Sequence, residues 1–231
     1  MKIHRFFMEQ NLKEEQVVLG DKEIIHQIED VLKLQSGESI VLFNGDGFEY
    51  QGKIKELNRE EIVLKEIKKT ANNVRAKNQV TLFCAVLKKE NFELVVQKAA
   101  EVGVTKIIPL ITERTIKLNL NLERLKKIIK EATEQSGRNI LPEITKPLSF
   151  KQVLDGLKKE DINLFFDITK DTDAFPKVQG RLVNIFIGPE GGWTDNERKL
   201  SSDYYFKEVN LGPAVLRAET AAIIATYLAA N

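Results

Sequence analysis

Two stretches of this 231-residue chain set reactive side chains among glycines in a way suited to grasping a small molecule. The first reads Ile187-Gly188-Pro189-Glu190-Gly191-Gly192-Trp193. It follows a short apolar run, Leu182 to Ile187, and precedes a helix signature in which Thr194 and Glu197 form a capping box. Such a strand-to-helix turn falls at the carboxyl edge of a sheet, where open α/β folds bind ligands. Glycines there let backbone approach a ligand closely and offer amides to it. A phosphate-cradling loop is the obvious rival, but no Gly-Lys-Ser/Thr follows and the G-x-G-x-x-G spacing is absent. A purely structural turn is the other alternative. The second stretch reads Leu211-Gly212-Pro213-Ala214-Val215-Leu216-Arg217-Ala218-Glu219-Thr220-Ala221. Gly212-Pro213 forces a turn, after which Arg217 and Glu219 open a helix otherwise almost free of charge. A carboxylate near a helix N-terminus is favourable by itself. A charged pair at the mouth of a buried helix is nevertheless costly unless paired or used.

The elements that must position these loops can be read from periodicity. Val80 to Leu87, Lys106 to Ile111, Leu164 to Ile168 and Leu182 to Ile187 are short apolar runs, as expected of strands buried on both faces, and Tyr205 to Val209 adds another. Helices alternate with them. One runs from about Asn91 to Val102 and is terminated by Gly103, a long amphipathic one from Leu122 to Ser136, and a capped one opens at Ser149 with Gln152. The alternation argues for a parallel sheet covered by helices. The last helix, Arg217 to Ala230, is apolar nearly all round and must be buried in its own domain or against a second subunit. Ahead of these elements the pattern differs. Ser39 to Asn44 is an apolar strand closed by Gly45-Asp46-Gly47; Phe48, Tyr50, Gly52 and Ile54 share one side of the next strand, and Glu61 to Ile67 alternates again. Ile24, Ile25, Ile28, Val31 and Leu32 recur at helical spacing, so a small barrel carrying one helix is expected. Lys68 to Asn78 contains almost nothing apolar and reads as a linker, which divides the chain into domains 1–70 and 71–231.

Composition excludes some classes. With 42% hydrophobic and 30% charged residues the chain fits a globular protein with a sizeable core, and no apolar run reaches the length of a membrane span. Lone Cys84 cannot form an internal disulfide, and no charged-then-apolar leader opens the chain, so the cytoplasm is the expected location. His4 and His26 are the only histidines, and no metal cluster is expected. Net charge is +1, but residues 76–147 carry 13 basic and 8 acidic side chains, so a phosphate-facing surface and a solvated helix face are both open readings.

GPEGGW followed by LGPAVLRAETA resembles the second and third motifs of the SPOUT methyltransferases, and more narrowly the ribosomal RNA small-subunit methyltransferase E family. ENFELVVQKAAEVGVTKIIPLITERT, EATEQSGRNILPEI, ESIVLFNGDG and Arg5-Phe6-Phe7 extend the resemblance over nearly the whole chain. The resemblance implies an α/β fold: a SPOUT parallel sheet with helices on both faces and a trefoil knot, preceded by a PUA-like small β-barrel that holds RNA. It implies S-adenosyl-L-methionine as cofactor, held by backbone around Gly188, Gly191, Leu211 and Leu216, with Ile187, Gly192, Gly212 and Thr220 completing the binding residues. It also implies a homodimer that methylates N3 of a uridine near the 3′ end of 16S ribosomal RNA, by the decoding site, on the assembled small ribosomal subunit.

Methylation at N3 requires loss of a weakly acidic proton, by a general base or by stabilising the uracil anion. From the resemblance, Lys98 is a candidate basic catalyst. Glu190 could receive the proton or hold the cofactor's amino group, and Arg217 could stabilise developing charge on uracil with Glu219 positioning it. Arg5, Lys88, Lys89, Arg114 and Arg138 are candidate RNA contacts. Solvated helix lysine, loop cap and C-terminal cap are the alternatives for Lys98, Glu190 and Arg138. Family members commonly have Arg where this chain has Ala214, which leaves a non-catalytic RNA-binding or assembly factor, or a SPOUT enzyme with another RNA target, as rivals. A nucleotide hydrolase is weaker still, since the loop lacks its Lys and Ser/Thr.

Overall fold

A computed structural model describes residues 3–72, 74, 76–115, 119–168, 175–178, 180–204 and 206–231. The chain divides into two compact units, Met1–Val74 with Thr133–Ile140, and Arg75–Ala132 with Leu141–Asn231.

In the first unit five strands form one sheet: β1 (His4–Phe7), β2 (Val17–Leu19), β3 (Ser39–Phe43), β4 (Phe48–Leu57) and β5 (Ile62–Ala71), in the order β1-β3-β4-β5-β2. The β1–β3 pair is parallel and the others antiparallel. Gly45 and Gly47 take φ of 86° and 89°, a left-handed conformation that glycine reaches without strain, and so turn β3 into β4. Tyr50 and Ile54 then point into a core with Phe6, Leu42 and Leu64. Helix α1 (Lys22–His26) is capped by Asp21, whose carboxylate accepts from the Glu23 and Ile24 amides, and it continues as a π-helical turn, Gln27–Val31. Ile24, Ile25 and Ile28 seal the core from that side. The expected linker is corrected at its start. Residues 68–71 belong to β5 and pair with Phe48 to Gln51 through backbone, a bond that makes no demand for apolar side chains. A second departure is the late segment 133–140, which packs into this unit. The Phe7 amide donates to Glu134 Oε1 at 2.9 Å, Asn72 Nδ2 to the Gly137 carbonyl at 2.9 Å, and Arg5 Nη2 to the Arg138 carbonyl at 2.9 Å.

The second unit is a wholly parallel sheet of β6 (Gln79–Ala85), β7 (Lys106–Ile111), β8 (Glu143–Ile144), β9 (Leu148–Ser149), β10 (Ile162–Phe166), β11 (Leu182–Ile187) and β12 (Lys207–Val209). Its order is β12-β10-β11-β6-β7-β8, with β9 also on β7. Tyr205, the expected start of the last strand, lies outside the described residues. The two-residue period of the central strands sorts side chains by chemistry. Leu82, Cys84, Leu164, Val183, Ile185 and Ile187 face one side, against α2 (Lys89–Val102), α3 (Leu122–Ser136) and α6 (Ala218–Ala230). Phe83, Phe165 and Phe186 face the other, against Trp193 and α4 (Phe150–Leu154). Both capping boxes form, Ser149 with Gln152 and Thr194 with Glu197, the latter opening α5 (Asp195–Asp203). Helix α6 packs Ala222, Ala225 and Ala229 inward, while Tyr227 is 54% exposed and Leu228 is exposed beside it. Among the described residues no helix is long and apolar enough to cross a membrane.

Candidate active site

Strands β12, β10 and β11 are parallel neighbours, so their carboxyl ends share one edge, and each hands the chain to a loop on that edge. Phe166-Asp167-Ile168 leaves β10, Gly188 to Trp193 leaves β11, and Asn210 to Arg217 leaves β12. Together they wall a cleft of about 770 Å³, within the usual span for small-molecule sites of roughly 300–1,000 Å³.

The β11 loop is held on three sides. Trp193, 1% exposed, stacks on Phe165 with centroids 4.5 Å apart and donates its indole N–H to the Phe166 carbonyl at 2.9 Å. That bond ties the β11 loop to the end of β10. The same ring accounts for Gly188: a Cβ there would meet the indole at 3.0–3.2 Å, tight enough that the ring would have to give by a few tenths of an ångström. Arg114, beyond β7, donates Nη1 to the carbonyls of Gly191 (2.6 Å) and Trp193 (3.3 Å). Glu197 accepts from the Thr194 amide as part of its box and from the Glu113 amide at 3.0 Å, joining α5 to the β7 loop. Gly192 at φ 69° completes a turn in which its amide reaches the Pro189 carbonyl at 2.8 Å.

The charges in the cleft are not equivalent. Arg198 on α5 donates Nε to Asp167 at 2.6 Å and Nη1 to Asp195 at 3.1 Å; the hydrogen bond to Asp167 chiefly holds its guanidinium above the usual range. Glu190 is exposed and accepts from the Lys88 amide at 3.4 Å, at the N-terminus of α2. Glu219, in the first turn of α6, is 7% exposed. Arg217 is the N-cap residue of α6 and is exposed. Both line the cleft, yet among the described residues no hydrogen bond or ion pair joins them. Beneath the loops, burial pushes the Cys84 thiol pKa upward, and the charges of Glu190 and Glu219 add to it, which places both carboxylates near the end of β6. Among the described residues no group of His, Cys, Asp and Glu could hold a metal ion.

Of the residues singled out for the cofactor, Ile187, Gly188, Gly191, Gly192, Leu211 and Leu216 line the cleft. Gly212, at φ 120°, shapes the β12 loop without lining it, and Thr220 is likewise absent from the wall. Glu190, Arg217, Glu219, Lys88 and Arg114 line it as well. Lys98 does not: its ammonium donates to both oxygens of Glu101, at 2.8 and 3.0 Å. Lys89 opens α2 exposed and off the wall. Arg5 and Arg138 belong to the first unit. Arg5 binds Glu49 and lies over the Phe43 ring, and Arg138 is buried, its guanidinium pKa lowered by that burial. Sequence reading missed Asp167 and Arg198. Asp167 had a signal, since it is the first polar residue after a buried parallel strand. Arg198 had none, because its partner is distant in sequence.

Residues 74–230 match the model of an RNA methyltransferase domain, and residues 21–67 that of an RNA methyltransferase PUA domain. The ribosomal RNA small subunit methyltransferase E of Rickettsia conorii is 33% identical, over 97% of this chain and 94% of its own. A Legionella pneumophila methyltransferase solved with bound SAM superposes with a TM-score of 0.87 at 32% identity, covering 98% of this chain and 96% of that one. The ribosomal RNA small subunit methyltransferase E of Neisseria gonorrhoeae, also solved with S-adenosyl methionine, gives 0.89 at 29% identity, covering 97% and 95%. The chain is thus an RNA methyltransferase with a PUA domain. The chain belongs to the ribosomal RNA small subunit methyltransferase E family.

Proposed function

We propose that this protein transfers the methyl group of S-adenosylmethionine to N3 of a uridine in 16S ribosomal RNA, near its 3′ end in the decoding region, on the assembled small subunit. The observation that carries the transferase reading is the cleft at the ends of β10, β11 and β12 in a chain of this family. Its residues fit the cofactor. Phe166, Ile187, Leu211 and Leu216 supply apolar surface for a purine and a thioalkyl chain, and a buried carboxylate, Glu219, suits a ligand that carries positive charge. When bound, the cofactor supplies a sulfonium methyl. The carbon–sulfur bond breaks with its electron pair left on sulfur, and the uracil nitrogen forms the new bond while its proton departs.

The protein's own residues do the rest. Arg217, exposed at the mouth of α6, stabilises the negative charge that develops on uracil as the proton leaves. Glu190, exposed and facing the cleft, is placed to take that proton. Lys88 at the rim is a phosphate contact, and Arg114 serves by fixing the β11 loop. The PUA-like unit grips RNA. Exposed Tyr227 and Leu228 on α6 support a homodimer, and the C-terminal part of the sheet is tied in a trefoil knot, as membership of the family implies.

The test is methyl transfer to small subunits from a strain lacking the enzyme, mapped by reverse transcription, because methyl at N3 blocks pairing. One new stop near the 3′ end of 16S RNA is expected. Cofactor binding without any methyl incorporation would sink the reading and favour a non-catalytic assembly factor.

A further inference from the structure

The turn that leaves β10 is fastened at three consecutive residues, and all three line the cleft. The Phe166 carbonyl accepts from the Trp193 indole at 2.9 Å, Asp167 Oδ2 accepts from Arg198 Nε at 2.6 Å, and Asp167 Oδ1 accepts from the Ile168 amide at 2.7 Å. Two of these bonds come from the segment that leaves β11 and opens α5. That segment is itself anchored, because buried Glu197 accepts from the Thr194 and Glu113 amides. The fasteners differ in kind. Trp193 is sealed in the core, whereas Arg198 stands on the cleft wall with its side chain 27% exposed and pairs with an Asp167 side chain only 10% exposed.

Resting on the cofactor reading of the cleft, we infer that Arg198 is a positioning residue for S-adenosylmethionine: by neutralising Asp167 it keeps the wall of Phe166, Asp167 and Ile168 in place before the ligand arrives. A carboxylate this far from water is costly unless it is paired. Removing the guanidinium leaves an uncompensated charge, which is relieved when the carboxylate swings into solvent. Asp167 lies between two other wall residues and holds the Ile168 amide, so it cannot move without carrying the wall with it. Arg198 acts through Asp167 and not on the ligand, since its charge is already matched by Asp167 and by Asp195, the latter at 3.1 Å.

The consequence is one of affinity. A wall fixed in advance asks the ligand to order nothing. A wall that has swung out must be ordered again on binding, and that entropy is subtracted from the binding free energy. The loss falls equally on ground state and transition state, so it raises KM for the cofactor and leaves kcat at saturation unchanged.

Calorimetric titration of the whole protein with S-adenosylmethionine, beside a melting temperature for each variant, tests this without turnover. Arg198→Ala should weaken binding by about tenfold, the order of fixing a few side chains again. Adding Asp167→Asn to that variant should restore most of the affinity, because the amide oxygen still accepts from Ile168 and no unpaired charge is left. Asp195→Ala should bind as wild type does, since Asp195 is fully exposed and off the cleft wall. In turnover the same factor should appear in KM for the cofactor, with kcat retained. An Arg198→Ala protein that melts lower but binds as tightly would make the pair merely structural and overturn the inference. No recovery in the double variant would mean that Arg198 touches the ligand itself, and would overturn it as well. If Arg198→Ala does not fold, Asp167→Ala takes its place: it frees the Ile168 amide and must cost a similar factor, so unchanged affinity sinks the idea. Wild-type protein that binds no S-adenosylmethionine instead refutes the cofactor reading, a result distinct from all of these.

Discussion

At Arg217 the difference between holding a ligand and transforming it becomes measurable. The guanidinium is exposed at the cleft mouth, while the apolar surface proposed for the cofactor lies on Phe166, Ile187, Leu211 and Leu216. Arg217→Ala should therefore lower kcat by about 10²–10³, the usual cost of removing one donor that stabilises developing negative charge. Titration should show cofactor affinity unchanged; full turnover would remove Arg217 from the mechanism. Gly188 tests the opposite property. A Cβ added there would meet the Trp193 ring at 3.0–3.2 Å, so Gly188→Ala should push the indole by a few tenths of an ångström from a position fixed by stacking on Phe165 and by the bond to Phe166. A loss of about 1–3 kcal/mol is expected from such overpacking, read as a lowered melting temperature. Trp193 is the protein's single tryptophan, so its fluorescence should report the same displacement directly. An unshifted emission spectrum in a variant of normal stability would show that the loop absorbs the methyl elsewhere.

At the scale of elements, caps decide where the loops begin. Thr194→Ala removes the side-chain half of the α5 box and should cost about 1 kcal/mol in denaturant unfolding. Glu197→Ala should cost more than Thr194→Ala, because its carboxylate, 2% exposed, also satisfies the Glu113 amide. If the two variants are equally stable, the link from α5 to the β7 loop contributes nothing. These caps were legible in sequence because Ser149 and Gln152, or Thr194 and Glu197, signal over three residues. The bounds of α3 were legible through a helical period carried by consecutive turns, and those of β11 through a short continuous apolar run. Residues 68–71 were not, since their strand is held by backbone bonds to β4 that no side-chain pattern encodes. The packing of 133–140 into the first unit, the pairing of Arg198 with Asp167, and the absence of an Arg217–Glu219 bond were equally invisible. Each depends on residues brought together by the fold rather than by spacing. The cleft itself was half legible: glycine-rich loops marked its walls, while Lys98, assigned through resemblance, stands off it with Glu101.

For the whole molecule, the proposed dimer makes a quantitative demand. Tyr227 and Leu228 leave apolar surface on α6, the helix that packs Ala222, Ala225 and Ala229 inward. Sedimentation at micromolar concentration should find two copies, and Tyr227→Glu should shift the population to single chains by burying an unpaired charge at the contact. A monomeric wild type would leave that surface without a partner. The order of the sheet carries a separate implication, for the time course of synthesis. Strand β6 pairs on one edge with β7, which follows it closely, but its other edge waits for β11, so that Gln79 meets Leu182. Until residue 187 has been made, the growing polypeptide presents a row of unsatisfied amides and carbonyls flanked by aliphatic side chains, the kind of edge on which nascent chains aggregate. Pairings so far apart in sequence also close slowly. The sheet can thus be completed only after β12 has been made, and the cleft, whose walls leave β10, β11 and β12, forms after β6 and β7 have paired.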